Sequence, residues 1–102
     1  MQISKGAAQA ALALSFLANQ ADGSLVRARQ VGAFLEVPTD SALKILQGLC
    51  RAGLVASRLG RSGGYRLAEP AERITLLQVV EAMDGPAEAR VPVEPAGPAA
   101  AG

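Results

Sequence analysis

The sequence predicts a mainly α-helical fold with one small β-hairpin, in a single domain. Three observations lead to this prediction. Four segments repeat apolar residues at the helical spacing of i, i+3 and i+4. Glycine or proline separates these segments at short intervals. Before the last segment, residues 54–67 place two short apolar runs around a basic, glycine-rich middle, which is typical of a hairpin with a charged tip.

The first helix is predicted from Ser4, whose side chain can cap it, to about Asn19. An Asp-Gly pair at residues 22–23 ends it as a turn, and residues 24–26 can form a short strand. The apolar face expected on this helix consists of Leu12, Phe16, Leu14 and Leu17, with Asn19 at its end.

A second helix is predicted over residues 28–35, where it would bury Val31, Phe34 and Leu35. It ends before Pro38, because the residue that precedes a proline is pushed out of the α region. The spacing thus predicts two helices joined by a tight turn.

The third helix is predicted from about residue 39 to residue 52, with Gly53 as its left-handed stop. Its core stripe is expected to be Ala42, Ile45, Leu46 and Leu49. Its opposite face is polar or small, and consists of Asp40, Ser41, Lys44, Gln47, Gly48 and Arg51.

The hairpin is predicted to run out over residues 54–58 and back over residues 65–67, with a turn at 60–64. Two short helices joined by a turn and followed by a hairpin form a winged helix-turn-helix. The tip of the hairpin is therefore predicted to be a wing.

A capping box of Thr75 and Gln78 opens the last helix, and a Gly-Pro pair at 85–86 ends it. The side expected to be buried consists of Leu76, Val79, Val80 and Met83. Residues 1–86 are thus predicted to form the winged helix-turn-helix DNA-binding domain. Residues 87–102, rich in proline and alanine, are predicted to be a disordered tail.

Charge is unevenly distributed along the chain, although the net charge is only +1. Residues 24–68 hold seven basic and two acidic residues, a net charge of +5. Residues 69–102 hold two basic and six acidic residues, a net charge of −4. A basic middle can focus an anion on one surface; the alternative is chance clustering on a solvated surface.

The composition excludes several classes of site. With one cysteine and no histidine, the chain alone can form neither a disulfide nor a zinc site of four Cys or His ligands. The sequence shows no nucleophile paired with a base, no paired carboxylates and no phosphate-binding loop, so nothing in it indicates an enzyme. The apolar run at residues 7–18 is too short to span a bilayer. A signal peptide is the alternative interpretation of that run, but the single thiol favours the cytoplasm.

Several motifs together resemble one family. GLV at 53–55, SGGYRLAEP at 62–70 and ITLLQVVEA at 74–82, with SKG at 4–6, are similar to the Rrf-two (Rrf2) family of bacterial winged-helix transcription regulators. VP at 37–38 and KIL at 44–46 most resemble its branch that regulates iron–sulfur cluster assembly. The resemblance implies a cytoplasmic DNA-binding regulator, most often a repressor, that binds double-stranded DNA as a homodimer or with a related regulator.

The chain also departs from the family pattern. The cluster-binding cysteines and the long dimerisation helix of relatives have no counterpart in these 102 residues, so no cofactor is expected. Relatives commonly carry an arginine where this chain has Leu59, and a Pro-Gly pair where it has Arg61-Ser62.

Candidate DNA contacts follow from the predicted architecture. The third helix would enter the major groove, where Thr39, Ser41, Lys44 and Gln47 could meet base edges. The wing would approach the minor groove or the backbone through Arg58, Arg61, Ser62, Gly63, Gly64 and Arg66. Phosphate contacts are expected from Ser4, Lys5, Arg27 and Arg29, and Arg51 is a further candidate DNA contact.

Three alternatives stay open. The domain could be a protein-interaction module that pairs with another regulator and has lost independent DNA binding. Tyr65 could pack its ring beneath the wing with its hydroxyl in water, or belong to the tip that contacts DNA. Cys50 is expected to pack as a small apolar residue, with a redox-active thiol as the alternative.

Overall fold

Four helices and one antiparallel hairpin follow one another in the predicted order. The computed structural model describes residues 3–85. Its elements are α1 (Lys5–Ala18), α2 (Ala28–Leu35), α3 (Thr39–Arg51), β1 (Val55–Arg58), β2 (Gly64–Leu67), a 3-10 turn (Ala71–Arg73) and α4 (Leu76–Asp84). The predicted winged helix-turn-helix architecture is confirmed, and the sequence analysis missed only the 3-10 turn. The predicted tail at residues 87–102 lies outside the described residues.

The predicted helix boundaries depend on local hydrogen bonds. The Ser4 hydroxyl accepts a hydrogen bond from the Ala7 amide at 3.0 Å, which satisfies one of the free donors at the start of α1. At α4 the capping box is complete, because Gln78 N donates to Thr75 Oγ1 at 3.1 Å and Thr75 N donates to Gln78 Oε1 at 2.8 Å. Gly53 follows α3 with a φ of 79°, as predicted for a left-handed stop.

The turn between α2 and α3 is short and consists of residues 36–38. Glu36 takes the left-handed conformation with a φ of 60°, and the Val37 amide donates to the Gly32 carbonyl at 2.9 Å. Pro38 then precedes the first residue of α3 in an extended conformation. These three residues reverse the chain direction and set α2 against α3.

The segment before α2 pairs with the hairpin through one additional bridge. In the hairpin Val55 pairs with Leu67 and Arg58 pairs with Gly64. Val26 N donates to Tyr65 O at 2.9 Å and Tyr65 N donates to Val26 O at 2.8 Å. The strand predicted at residues 24–26 is therefore reduced to a single bridge, because only Val26 reaches β2.

One core lies between the helices and the inner face of the hairpin. The core stripe predicted for α3 is confirmed. Among the side chains that solvent hardly reaches, the largest are Leu46, Leu49, Leu54, Val31 and Val80. They come from α2, α3, the start of the hairpin and α4, so the core joins distant parts of the chain.

The predicted inner face of α1 is partly wrong. Leu12 is 53% exposed and Asn19 is exposed, whereas Ala7, Ala10 and Ala13 are fully buried beside Leu14 and Leu17. Because alanine is small, neighbouring elements can approach this side of α1 closely. The buried face therefore combines three alanines with Leu14 and Leu17, and it leaves Leu12 outside.

Two further side chains predicted to be buried are about half exposed, Phe34 of α2 and Leu76 of α4. The Phe34 ring stacks on Phe16 of α1 with a centroid distance of 4.6 Å. This contact covers one ring face and leaves the other to solvent.

Gly48 was expected on the outer polar face of α3, and this expectation is wrong. Gly48 is buried, and a Cβ at this position would clash with the terminal methyl of Met83 in α4. Gly48 therefore faces α4 rather than solvent, and the Met83 side chain fills the space beside it.

We expect Leu46→Ala to lower the free energy of unfolding by about 2–5 kcal/mol, because it leaves a cavity in a fully buried site. Leu12→Ala is the matched control, since it removes the same atoms from a half-exposed position and should cost about 1 kcal/mol or less. Chemical denaturation monitored by circular dichroism measures both. Equal losses would contradict the burial pattern of α1 and α3.

Candidate nucleic-acid interface

The outward face of α3 carries one polar stripe. Asp40, Lys44, Gln47 and Arg51 are all exposed, and their spacing of i, i+4, i+7 and i+11 places them on one side of the helix. Burial of Leu46 and its neighbours on the opposite side forces this stripe towards solvent. We call these four residues the α3 stripe.

The other base-reading candidates lie around the α3 stripe. Thr39 is exposed at the first residue of α3. Ser41 is half-buried and lies on the side of α3 that also holds Gly48 and faces α4. The structure therefore brings Lys44 and Gln47 together and leaves Ser41 at the edge.

The wing tip is a five-residue loop, residues 59–63, closed by glycines. The Gly63 amide donates to the Gly60 carbonyl at 3.0 Å, and Gly60 has a φ of 101°, which favours glycine. A Cβ on Gly63 would clash with the carbonyl oxygen of Arg58. The Gly63 amide is thus occupied rather than bare, while the side chains of Arg61 and Ser62 remain exposed.

The arginines of the hairpin share its outer face. Directly paired residues of antiparallel strands lie on the same face, so Arg58 and Arg66, which are both exposed, share the face opposite Val55 and Leu67. The other pairs, Val55–Leu67 and Ser57–Tyr65, face inwards. Arg66 also borders a shallow groove that contains Asp22.

An open groove of about 500 Å³ separates the start of α2 from the wing. Arg27 and Arg29 line one side, and Arg58, Gly60 and Tyr65 line the other. The bridge between Val26 and Tyr65 brings the two sides of the groove together, because it places the residue before Arg27 against β2. The sequence analysis identified these arginines separately and missed the groove, since only the basic bias of residues 24–68 hinted that the two segments act together.

Two contacts place the α3 stripe between the wing and α4. On one side, Cys50 hydrogen-bonds the Ser57 side chain of β1. On the other side, Gly48 packs against Met83. Arg58 of the wing thus directly follows Ser57, the residue that contacts α3.

The start of α1 lies at the α4 side of this arrangement. The Ser4 hydroxyl donates to Asp84 Oδ1 at 2.9 Å while it caps α1. The hydroxyl therefore already donates one hydrogen bond and accepts another, whereas the Lys5 side chain is exposed.

Cys50 and Tyr65 both pack against the core as half-buried side chains. Burial raises the pKa of the Cys50 thiol, and the hydrogen bond from Ser57 opposes this shift in part. A thiol with a raised pKa is a poor nucleophile at neutral pH.

Two negative findings hold for the described residues. Within residues 3–85, no cluster of three or more His, Cys, Asp or Glu side chains could bind a metal ion. None of the helices in this part of the chain is both long and apolar enough to cross a bilayer.

Comparisons with known proteins agree on one family. Residues 3–100 match the sequence model of Rrf2, described as an iron-dependent transcriptional regulator. A protein of Mycobacterium tuberculosis named as an HTH-type transcriptional regulator, Rv1287, is 36% identical over 86 residues, which cover 84% of this chain and 53% of that protein. The chain therefore spans about half the length of this relative.

Solved structures show the same fold. CymR, the global cysteine regulator of B. subtilis, superposes with a TM-score of 0.76 at 22% identity and covers 84% of this chain and 67% of its own. IscR of T. potens superposes with a TM-score of 0.73 at 22% identity and covers 83% of this chain and 62% of its own.

We expect alkylation of Cys50 by iodoacetamide to reach its half-maximal rate at a higher pH in the native protein than in guanidinium, because burial disfavours the thiolate. Ser57→Ala should move the native midpoint further up, since it removes the hydrogen bond that lowers the pKa. Mass spectrometry of timed samples measures the rates. Coincident pH profiles for native and denatured protein would contradict this assignment.

Proposed function

Because the chain belongs to the Rrf2 family of transcriptional regulators, we propose that it binds double-stranded DNA through α3 and the wing together and represses the promoter that it occupies. The observation that carries this proposal is the groove in which Arg27 and Arg29 of the α2 segment face Arg58 of the wing. This groove lies beside β1, which contacts α3 through Ser57 and Cys50.

The α3 stripe supplies groups that suit base edges in the major groove. A lysine can donate to the acceptors of guanine, and a glutamine can pair with adenine. Lys44 and Gln47 are exposed side by side on the stripe, and we assign them to base reading. Arg51 near the end of α3 and Thr39 at its start are assigned to the flanking phosphates or bases, with Ser41 at the margin.

The groove and the wing supply phosphate contacts. Each phosphate that an arginine neutralises releases condensed counterions, so such contacts dominate affinity and weaken with added salt. Arg27, Arg29 and Arg58 can face one stretch of backbone from two sides of the groove. Arg61 at the tip and Arg66 on the outer face extend the same positive surface.

One copy of this domain would read only a half-site. Rrf2 regulators bind DNA and often act as dimers, and single modules of this size bury little DNA surface. We therefore propose that the chain acts in the cytoplasm as a homodimer or paired with a related regulator. Residues 1–86 are assigned to DNA binding.

A protein-interaction module is the second candidate, and one observation favours it. Leu76 and Leu77 of α4 are each about half exposed. Leu76 borders an apolar groove of about 290 Å³ between α1, β2 and α4. This candidate would be favoured if the protein pairs with another regulator and shows no salt-dependent binding to DNA.

We expect the double variant Arg58→Ala, Arg61→Ala to bind all DNA sequences more weakly by about the same factor. The slope of log affinity against log salt should become shallower by about 2, because two phosphate contacts are lost. Fluorescence anisotropy of labelled DNA from upstream of its own gene, at several salt concentrations, measures this slope.

The control for charge is Arg73→Ala. Arg73 lies in the 3-10 turn beyond the base of the hairpin, so its loss should leave the slope unchanged. An unchanged slope in the double variant would remove the wing from the proposed interface.

Lys44→Ala should instead reduce the preference for the promoter fragment over a scrambled fragment of equal length. A lost base contact weakens binding to the cognate sequence alone, by roughly 1–3 kcal/mol. Competition titrations with the two fragments measure this ratio. Equal loss on both fragments would reassign Lys44 to a phosphate.

A further inference from the structure

We propose that Leu59, at the tip of the wing, is an apolar wedge that enters the DNA minor groove and partly unstacks a base step there. This inference rests on the proposed DNA-binding function and adds what the wing itself recognises: a deformable step rather than a base edge.

The exposure of Leu59 is the first observation. Its side chain is 92% exposed, and the other exposed large apolar side chains in residues 3–85 reach at most 53%. Four of the other five belong to helices, whereas Leu59 lies in the loop beyond the last pair of the hairpin. Any contact that removes this exposed leucine side chain from water is favourable, because it buries apolar surface.

The rigid presentation of Leu59 is the second observation. The pair of Arg58 and Gly64 precedes it, and the hydrogen bond from Gly63 N to Gly60 O closes the turn that follows it. Gly63 lies so close to the Arg58 carbonyl that no other residue fits there. The tip is therefore formed in advance, so its insertion requires little loss of backbone entropy.

The charged surroundings of Leu59 indicate the partner. Arg58 precedes it and Arg61 follows two residues later, both exposed, and the tip contains no second large apolar side chain. A single leucine between two guanidinium groups does not form the apolar patch that a protein partner would cover. It does match the arrangement of minor-groove proteins, which anchor phosphates with basic residues and insert an apolar side chain between base steps.

A wedge and an arginine read different properties of the groove. An arginine inserted in the minor groove responds to its width and negative potential, whereas a wedge favours steps that unstack easily, such as TA and CA/TG. Leu59 should therefore select a flexible pyrimidine–purine step below the wing and bend the duplex there.

The test compares Leu59→Ala with Leu12→Ala, which removes the same atoms from a half-exposed position on α1. Promoter duplexes carry dyes at both ends to report bending, and 2-aminopurine at successive positions to report unstacking. Anisotropy at several salt concentrations reports affinity and the salt slope. Both positions are exposed, so a cooperative thermal transition in each variant confirms that it folds.

The wild-type protein and Leu12→Ala should shorten the distance between the dyes and raise 2-aminopurine fluorescence at one step. Leu59→Ala should lose both signals and bind about tenfold more weakly, with an unchanged salt slope because no phosphate contact is lost. Leu59→Arg should steepen the slope by about 1 without restoring the 2-aminopurine signal.

Two outcomes would overturn the inference, and they are distinguishable. If the wild-type protein binds DNA with a steep salt slope but Leu59→Ala bends and unstacks the duplex equally well, the wedge is wrong and the proposed function stands. If the wild-type protein shows no salt-dependent binding to any of the duplexes, the proposed function fails together with the wedge.

Discussion

Two backbone hydrogen bonds between Val26 and Tyr65 hold the wing against the helical part of the molecule. Val26 is buried and directly precedes the segment of Arg27 and Arg29, so this bridge sets the position of these arginines relative to Arg58. A hairpin of two short strands is only marginally stable alone. The same contact that stabilises the hairpin therefore assembles the positive groove.

The orientation of α3 follows from packing on three sides. Leu46 and Leu49 face the core, Gly48 faces Met83 of α4, and Cys50 contacts β1 through Ser57. Only the side that holds Lys44 and Gln47 is left to solvent. The stripe that we propose to read bases is thus presented by a helix that packs against neighbours on its other sides, as precise recognition of base edges requires.

The proposed interface divides its tasks between elements. Arginines around the groove would position the domain on the backbone, and such contacts carry no sequence information by themselves. The α3 stripe would read bases directly, while a rigid tip bearing Leu59 would read deformability. The relatives supply the family and the fold, whereas Leu59 is a property of this chain and separates its wing from one that carries an arginine there.

The sequence by itself determined the order and type of the elements, because helical spacing, the capping box at Thr75 and Gln78, and the glycine at 53 are local signals. It also determined the core stripe of α3 and the glycine-rich tip. Only the tertiary structure decided that α1 buries Ala10 and Ala13 while Leu12 faces solvent, that Gly48 packs beneath α4, and that Arg27 and Arg29 meet Arg58. Which face of a helix is covered, and which distant segments meet, depends on how closely neighbouring elements can approach. That distance is set by packing between residues far apart in the chain, which periodicity within one segment cannot report.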